Sequence, residues 1–274
     1  MIFFNRFNIS SVLLILLIIL PGHLFGQDHG ELKANLIAHR GGVVDEQRAE
    51  NSASAIDVAI ERGYWMLEVD LRKSLDGEII VHHDPTFEKD YDYSGVVAEM
   101  TWNDIKQLRS NKDGHRPLLF EEVAHRAEGQ AGLMLDVKGN DYGEDYYKKI
   151  EQILIRYNLL SDTFILSGAE AQAYFKNKTS LSAGFDKLIE ESKKGVDVKN
   201  VYHLFELGSD LNPLMIKKAN ELGVTVVAAI NVFRYRQAGT DVWEGARQDV
   251  ERLLALGVRY YQVDSFYEPL FYAK

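Results

Sequence analysis

The sequence contains 274 residues, has a formal net charge of −10 and has no cysteine. The excess of acidic residues disfavours binding to nucleic acid or to an anionic membrane surface, so an anionic small molecule would need local cations or a bound metal. The lack of cysteine excludes disulfide bonds, a thiol nucleophile and lipid modification of a cysteine.

The first 26 residues have the pattern of a secretory signal peptide, which predicts a secreted or periplasmic protein. Arg6 precedes an apolar run from Val12 to Leu20 that ends at a Pro-Gly pair. As a helix this run would span about 14 Å of a bilayer core roughly 30 Å thick, so we expect cleavage near Gly26 and no stable membrane insertion afterwards. An uncleaved anchor is the alternative. Cleavage would leave residues 27–274 as one domain. The formal charge of this domain would be −11, because Arg6 is the one formally charged residue of the removed segment.

Short apolar runs after residue 27 alternate with helical patterns, which predicts an α/β fold, the (β/α)8 TIM barrel. Residues 190–208 give no clear pattern. The helical patterns are Ser52–Arg62, Tyr146–Tyr157, Pro213–Leu222 and Val242–Leu256. The eight candidate strands are Asn35–His39, Trp65–Leu71, Glu78–His83, Gly132–Lys138, Thr163–Ser167, Ser180–Phe185, Val224–Ile230 and Tyr260–Asp264.

The connection between the second and third candidate strands is irregular. Residues 72–77 are too few to hold a crossover helix between parallel strands, so an irregular crossover or a local hairpin is required and the barrel is expected to be somewhat distorted there. A two-residue turn at Asp76-Gly77 would place Asp70 directly opposite His83. The long segment from Pro85 to Gln130 is expected to run over the barrel mouth.

Polar residues stand near the C-terminal ends of four of the candidate strands, where apolar side chains would be the default. They are His39, Glu68 with Asp70, His83, and Asp136 with Lys138. Alternate side chains of a strand share a face, so Glu68 and Asp70 point together. Because the C-terminal strand ends form the active-site face of such barrels, we expect these polar residues to meet at one mouth.

Several short motifs follow one another in the sequence, namely His39-Arg40-Gly41, Glu50-Asn51-Ser52, Glu68-Val69-Asp70, Asp76-Gly77, His83-Asp84 and Asp136-Val137-Lys138. Their order resembles that of the glycerophosphodiester phosphodiesterase family. The resemblance extends from about Leu36 to Gly139 and is architectural beyond that. It implies a TIM-barrel phosphodiesterase that converts a small-molecule glycerophosphodiester to glycerol 3-phosphate and an alcohol.

The resemblance also implies a metal site and an acid-base pair. Glu68, Asp70 and Asp136 would hold a divalent cation, and oxygen ligands of this kind suit Ca²⁺ or Mg²⁺. His39 and His83 would be the catalytic acid and base, because imidazole titrates near neutral pH and can both give and take a proton.

Three further residues are assigned to the substrate by the resemblance. Arg40 and Lys138 would face the phosphate, and Glu50 would lie at the metal or the substrate hydroxyls. The sequence departs from the family's pattern at Ala49, where proline is common, and at Asp136, where glutamate is usual. We therefore expect a different loop before Glu50, and a metal that shifts or binds through water.

Three other interpretations stay open on the sequence alone. A lysophospholipase D-like or phosphoinositide phospholipase C-like enzyme would use the same core, and an exposed apolar rim around the mouth would favour it. A noncatalytic binding protein could use the same barrel. Glu68 and Asp70 could also be paired with Arg40 or Lys138 for structural reasons alone. The sequence leaves the oligomeric state undecided.

Overall fold

The computed structural model describes residues 32–273, and the signal peptide predicted at residues 1–26 lies outside them. Eight parallel strands close into a ring with helices on the outside, which confirms the predicted (β/α)8 barrel. Within the described residues, no helix combines the length and the apolar character that crossing a membrane requires.

The ring runs through eight of the twelve strands that lie in residues 32–273, and the other four belong to an excursion after the second strand. The ring order is β1-β2-β7-β8-β9-β10-β11-β12, and β12 pairs with β1. The strands are β1 (Asn35–Ala38), β2 (Met66–Lys73), β3 (Ile79–Val81), β4 (Thr86–Phe87), β5 (Tyr93–Val96), β6 (Leu118–Leu119), β7 (Gly132–Val137), β8 (Thr163–Ser167), β9 (Ser180–Ala183), β10 (Tyr202–Leu207), β11 (Val226–Ile230) and β12 (Tyr260–Val263).

The four helices predicted from the sequence are present with bounds within two residues of those expected. Their ends follow local chemistry: the Ser52 hydroxyl accepts a hydrogen bond from the third residue beyond it at the start of the first helix, and Asn212 caps the eighth. The α-helices of residues 32–273 are α1 (Ala53–Glu61), α2 (Glu88–Tyr91), α3 (Trp102–Ile105), α4 (Phe120–Ala127), α5 (Glu144–Arg156), α6 (Ala169–Phe175), α7 (Phe185–Lys193), α8 (Pro213–Glu221), α9 (Val232–Gln237) and α10 (Val242–Ala255).

One predicted barrel strand lies outside the ring, and one ring strand was missed. The predicted strand Glu78–His83 contains β3, which pairs antiparallel with β2 and extends the sheet outward to β6. Its Ile80 packs in a separate apolar cluster with Phe87, under the excursion. The missing ring strand is β10, which lies in the segment that gave no pattern in the sequence because polar residues such as His203 interrupt it.

The connection between β2 and β3 is a hairpin, one of the two possibilities expected, but its predicted register was wrong by one residue. The backbone N–H of His82 donates to the carbonyl of Asp70, so His82 and not His83 lies opposite Asp70. Ser74 pairs with Glu78 through its N–H and also accepts from the Glu78 N–H with its hydroxyl. The turn therefore contains three residues between this pair instead of two.

Strand alternation places the polar residues of β2 inside the barrel. Leu67, Val69 and Leu71 belong to the apolar cluster that also contains residues of the surrounding helices. Met66 belongs to a second cluster, which it forms with residues of β1, β7 and β11. Residues of one strand face share a direction, so Glu68 and Asp70 lie on the same side as Met66, above this interior cluster towards the C-terminal mouth.

Candidate active site

Three carboxylates converge at the C-terminal end of β2 and β7. Glu68, Asp70 and Asp136 are buried, and one oxygen atom of each lies within 4.8 Å of the others. Asp70 and Asp136 are direct register partners on neighbouring parallel strands. We call these three residues the acidic trio.

The charge of the acidic trio is only partly compensated by protein groups. Lys138 Nζ lies 3.1 Å from Asp70 Oδ1 and also contacts Asp136 Oδ2. Burial raises the pKa of Asp70, but the Lys138 ammonium, together with the hydrogen bond from Asn51 and other neighbouring groups, outweighs it and holds that pKa below its usual value. Burial and the neighbouring Asp70 carboxylate raise the pKa of Glu68. A further positive charge at this point would therefore relieve a real electrostatic cost.

The atoms around the acidic trio fit a hard divalent cation. Besides three carboxylates, the site contains Asn51, whose Nδ2 donates to Asp70 Oδ2 at 3.0 Å. The Asn51 Oδ1 atom is buried and has no hydrogen-bond donor among the residues described. The Ser167 hydroxyl donates to Asp136 and orients that shorter side chain. Oxygen donors without competing sulfur or imidazole ligands are the set that Mg²⁺ and Ca²⁺ prefer.

The two motifs that contain Arg40 and Asn51 form one local unit. Both residues have positive φ, 57° and 56°, and the Asn51 N–H donates to the Arg40 carbonyl at 2.8 Å. A Cβ atom on Gly41 would come within 3.0 Å of the Asn51 backbone, and one on Gly42 within 2.2 Å of the α1 backbone. The glycines therefore permit the close approach that lets the Arg40 N–H donate to Glu68 Oε2 at 2.7 Å.

Each predicted catalytic histidine is oriented by a carboxylate. His39 Nδ1 lies 2.6 Å from Asp264 Oδ1, and His83 Nδ1 lies 2.7 Å from Asp84 Oδ1. A carboxylate accepts, so both Nδ1 atoms donate and the Nε2 atoms are left for chemistry. Arg40 Nη2 is 3.4 Å from His83 Nε2, which places His83 beside the same guanidinium that follows His39 in the chain.

The surroundings of His39 favour its protonated form. Burial lowers its pKa, but the hydrogen bond to Asp264 and the charges of Glu68 and Asp264 outweigh burial, so the pKa of His39 is raised. Burial also raises the pKa of Asp264, but the hydrogen bond and charge of His39, together with the Val232 N–H and the Arg40 charge, outweigh it and the pKa of Asp264 is lowered. The pair is thus stabilised as imidazolium and carboxylate.

Arg72 links the hairpin to the barrel at the level of the site. Its Nε and Nη2 donate to the His83 carbonyl at 2.9 and 2.6 Å, and its Nη1 donates to the Lys138 carbonyl at 3.2 Å. His83 stands on the excursion and not on a ring strand, so this link, together with the pairing of β2 and β3, fixes it relative to the ring.

Glu50 contacts cations rather than the acidic trio. Its Oε2 accepts from Arg40 Nη1 at 2.7 Å, and its Oε1 accepts from Lys89 Nζ at 3.0 Å. Burial raises the pKa of Glu50, but the charges and hydrogen bonds of Arg40 and Lys89 together outweigh it, so the pKa is lowered. Glu50 therefore holds the Arg40 guanidinium in place, and its predicted contact with substrate hydroxyls stays a prediction.

The structure brings all eight predicted site residues to one mouth and adds others to which the sequence analysis gave no role. The strand-end rule that selected His39 could also have selected Asp264, since that residue ends the last predicted strand. Arg72 and Ser167 carry no motif signal. The added residues are Asn51, Arg72, Asp84, Ser167 and Asp264.

Residues 39–156, which contain all of these predicted site residues, match the sequence profile of the glycerophosphoryl diester phosphodiesterase family. This segment, which is less than half of the chain, is similar to that family. The chain is 32% identical over 129 residues to glycerophosphodiester phosphodiesterase 1 of Bos taurus, covering 43% of this chain and 38% of that protein. It is 34% identical over 132 residues to a glycerophosphodiester phosphodiesterase of Caldanaerobacter subterraneus subsp. tengcongensis, covering 46% of this chain and 52% of that protein. The matches thus span about half or less of these relatives.

Solved structures of glycerophosphodiester phosphodiesterases share the barrel over most of its length. One from Agrobacterium tumefaciens has a TM-score of 0.69 at 20% identity, and the superposition covers 88% of this chain and 100% of that chain. A phosphodiesterase from Oleispira antarctica, solved with the product sn-glycerol-3-phosphate, has a TM-score of 0.67 at 18% identity and covers 86% of this chain and 94% of its own. At these identities the likeness concerns the fold.

Proposed function

We propose that this chain is a metal-dependent phosphodiesterase that hydrolyses glycerophosphodiesters to glycerol 3-phosphate and an alcohol. The observation that carries the proposal is the convergence of the acidic trio, within 4.8 Å, with two carboxylate-oriented imidazoles at one barrel mouth. The family of residues 39–156 and the names of the relatives support the same reaction.

The acidic trio would hold the cation, for which the oxygen donors favour Ca²⁺ or Mg²⁺, and the cation would supply positive charge to the phosphate and polarise a substrate hydroxyl. Arg40 and Lys138 would neutralise the nonbridging phosphate oxygens as charge develops on them. Burial lowers the pKa of Lys138, but Asp70 and Asp136 outweigh it, so the raised pKa keeps this ammonium charged throughout the working range.

The environments of the two histidines assign them different roles. His39 is held as imidazolium by Asp264, so its Nε2 would donate a proton to the oxygen of the leaving alcohol as the P–O bond breaks. His83 Nδ1 is bound to Asp84, so its Nε2, which lies beside the Arg40 guanidinium, would accept the proton of the substrate hydroxyl that attacks phosphorus. Water would then open the resulting cyclic phosphate to glycerol 3-phosphate, with the two histidines in exchanged roles.

The proposal is tested by measuring glycerol 3-phosphate release from glycerophosphocholine, glycerophosphoethanolamine and glycerophosphoglycerol, each with Mg²⁺, Ca²⁺, Mn²⁺ or a chelator. We expect turnover that stops on chelation and returns with one of the cations. His39→Ala and His83→Ala should each lose at least about a hundredfold in kcat. His125→Ala removes an exposed imidazole of α4 and should retain activity. Undiminished turnover in both site variants, or binding without turnover under all conditions, would refute the proposal.

We also propose that the protein acts outside the cytoplasm, because the pattern of residues 1–26 is that of a signal peptide. Expression of the full chain in its host, followed by fractionation and N-terminal sequencing, tests this. A new N-terminus near Gln27 in the exported fraction is the expected result, and intact protein confined to the cytoplasm contradicts it.

A further inference from the structure

A cavity of about 620 Å³ opens at the barrel mouth on the side of His39. His39, Arg40 and Asp264 line one part of it, and Phe233 and Phe266 line another. His83 and the acidic trio are not among its lining residues. The cavity thus adjoins the proposed acid and lies apart from the proposed base and the cation site.

The two phenylalanines are unusually exposed for residues of their size. Phe233 of α9 is 67% exposed, and Phe266, in the 3-10 helix Ser265–Phe271, is 54% exposed. The Trp243 ring packs edge-on against Phe266 at 5.4 Å, which supports that ring from behind. Apolar area left open beside a catalytic residue is a mark of ligand contact.

The charges of the cavity favour an uncharged occupant over a cationic one. Both oxygens of Glu50 are taken by Arg40 and Lys89, and both oxygens of Asp264 are taken by His39 and the Val232 N–H. Each carboxylate of this lining is therefore already paired with a cationic group, which leaves little net negative charge to attract an ammonium group.

An exposed arginine strengthens this preference. Arg236 of α9 also lines the cavity and adds a positive charge, which would repel a quaternary ammonium group such as that of choline. The phenylalanine rings can instead bury the methylene groups of an alkyl chain, which are uncharged and are therefore not repelled by Arg236.

We propose that this cavity binds the alcohol part of the diester and selects alcohols with an uncharged alkyl chain. The inference rests on the proposed function, because it is the proton-donating role of His39 that places the leaving alcohol on this side.

The test uses glycerol 3-phosphate esters of ethanol, butanol and octanol, together with glycerophosphocholine, each below its aggregation concentration. We expect kcat/KM to rise at least about thirtyfold from the ethyl to the octyl ester, since each buried methylene adds a several-fold preference. The choline ester should be a poorer substrate than the butyl ester. A flat series with measurable turnover of the ethyl ester overturns the inference and leaves the proposed function standing.

Variants decide whether the cavity is responsible for the preference. In the double variant Phe233→Ser with Phe266→Ser, the ratio of octyl to ethyl kcat/KM should fall at least about tenfold. Ile155→Ser, which removes an apolar side chain that is 56% exposed on α5 outside the cavity, should leave the ratio unchanged. The inference is contradicted if the ratio of octyl to ethyl kcat/KM stays the same in the double variant. It is also contradicted if the preference for the octyl ester appears only above the aggregation concentration, because that result would indicate docking to a lipid surface.

A binding measurement separates this inference from the proposed function. If no ester is hydrolysed with any cation, the proposed function fails. Saturation-transfer NMR then decides the inference: octanol should bind the wild-type protein and lose binding in the double variant, whereas equal binding to both proteins refutes it.

Discussion

The Asp264 carboxylate sets the protonation of His39. Replacing it in Asp264→Asn keeps an oxygen that can accept from His39 Nδ1 but removes the negative charge that stabilises the imidazolium. The pKa of His39 should therefore fall. Because the proposed acid must be protonated, the alkaline limb of the pH profile of kcat/KM should move to lower pH, with the acidic limb much less affected.

Asp210→Asn is the matched control for this variant. Asp210 is an exposed carboxylate that pairs with Arg234 and has no contact with His39, so its profile should match the wild type. An alkaline limb that stays in place in Asp264→Asn would show that His39 is not the group that must be protonated.

At the scale of residues, the sequence revealed what strand position and motif order can reveal. Glu68 and Asp70 were predictable because acidic residues inside a buried strand need a reason to be there. Asp264 was visible at the end of the last predicted strand, but its role depends on a contact with His39 that is 225 positions away in the chain. Arg72 had no signal, because its role depends on the carbonyl groups of His83 and Lys138, which only the folded barrel and its hairpin bring together.

At the scale of elements, His83 follows β3 of the hairpin that β2 and β3 form, and hydrogen bonds from Arg72 hold the His83 backbone in place. Arg72→Met should release the His83 carbonyl and let the imidazole shift, and a misplacement of about 1 Å can cost about a hundredfold in rate. We expect kcat to fall about ten- to hundredfold with a loss of about 1–2 kcal/mol in unfolding free energy. Arg72→Lys should rescue little, since one ammonium cannot replace the guanidinium fork.

Arg109→Met is the comparison for this effect, because Arg109 is exposed and, within residues 32–273, its guanidinium donates to carbonyls of its own loop alone. It should change neither kcat nor thermal stability appreciably. An Arg72→Met enzyme with normal kcat but lowered melting temperature would show that the hydrogen bonds of Arg72 contribute to stability and do not set the position of His83.

The elements also show where sequence patterns fail. Glu78–His83 reads as a buried barrel strand because Ile79, Ile80 and Val81 are all apolar, yet its second apolar face is covered by the excursion and not by a barrel helix. The strand β10 was hidden for the opposite reason. Its interior position His203 is polar, and periodicity alone does not reveal that two serines of β9 satisfy it.

At the scale of the whole molecule, the barrel interior contains a histidine that cannot be charged without cost. His203 is fully buried, receives or donates hydrogen bonds with Ser180 at 3.0 Å and Ser182 at 2.7 Å, and stacks on Phe164 with ring centroids 4.1 Å apart. Burial lowers the pKa of His203 to about 3. The interior is thus a packed core whose stability depends on pH.

This buried imidazole should make the protein less stable in mild acid. Unfolding returns the pKa of His203 to about 6.5, so between roughly pH 6.5 and 3 the unfolded chain binds a proton that the folded barrel does not, at a cost of up to about 1.4 kcal/mol per pH unit. His203→Phe lowers stability at pH 7, because two serine hydroxyls lose their partner, but it removes this proton. The difference in unfolding free energy between variant and wild type, measured by urea denaturation, should therefore shrink as the pH falls from 6.5 to 4.5.

His125→Phe, which replaces an exposed imidazole, is the control, and its difference in unfolding free energy from the wild type should stay constant over this pH range. If the difference for His203→Phe is constant as well, the interior histidine titrates normally in the folded barrel.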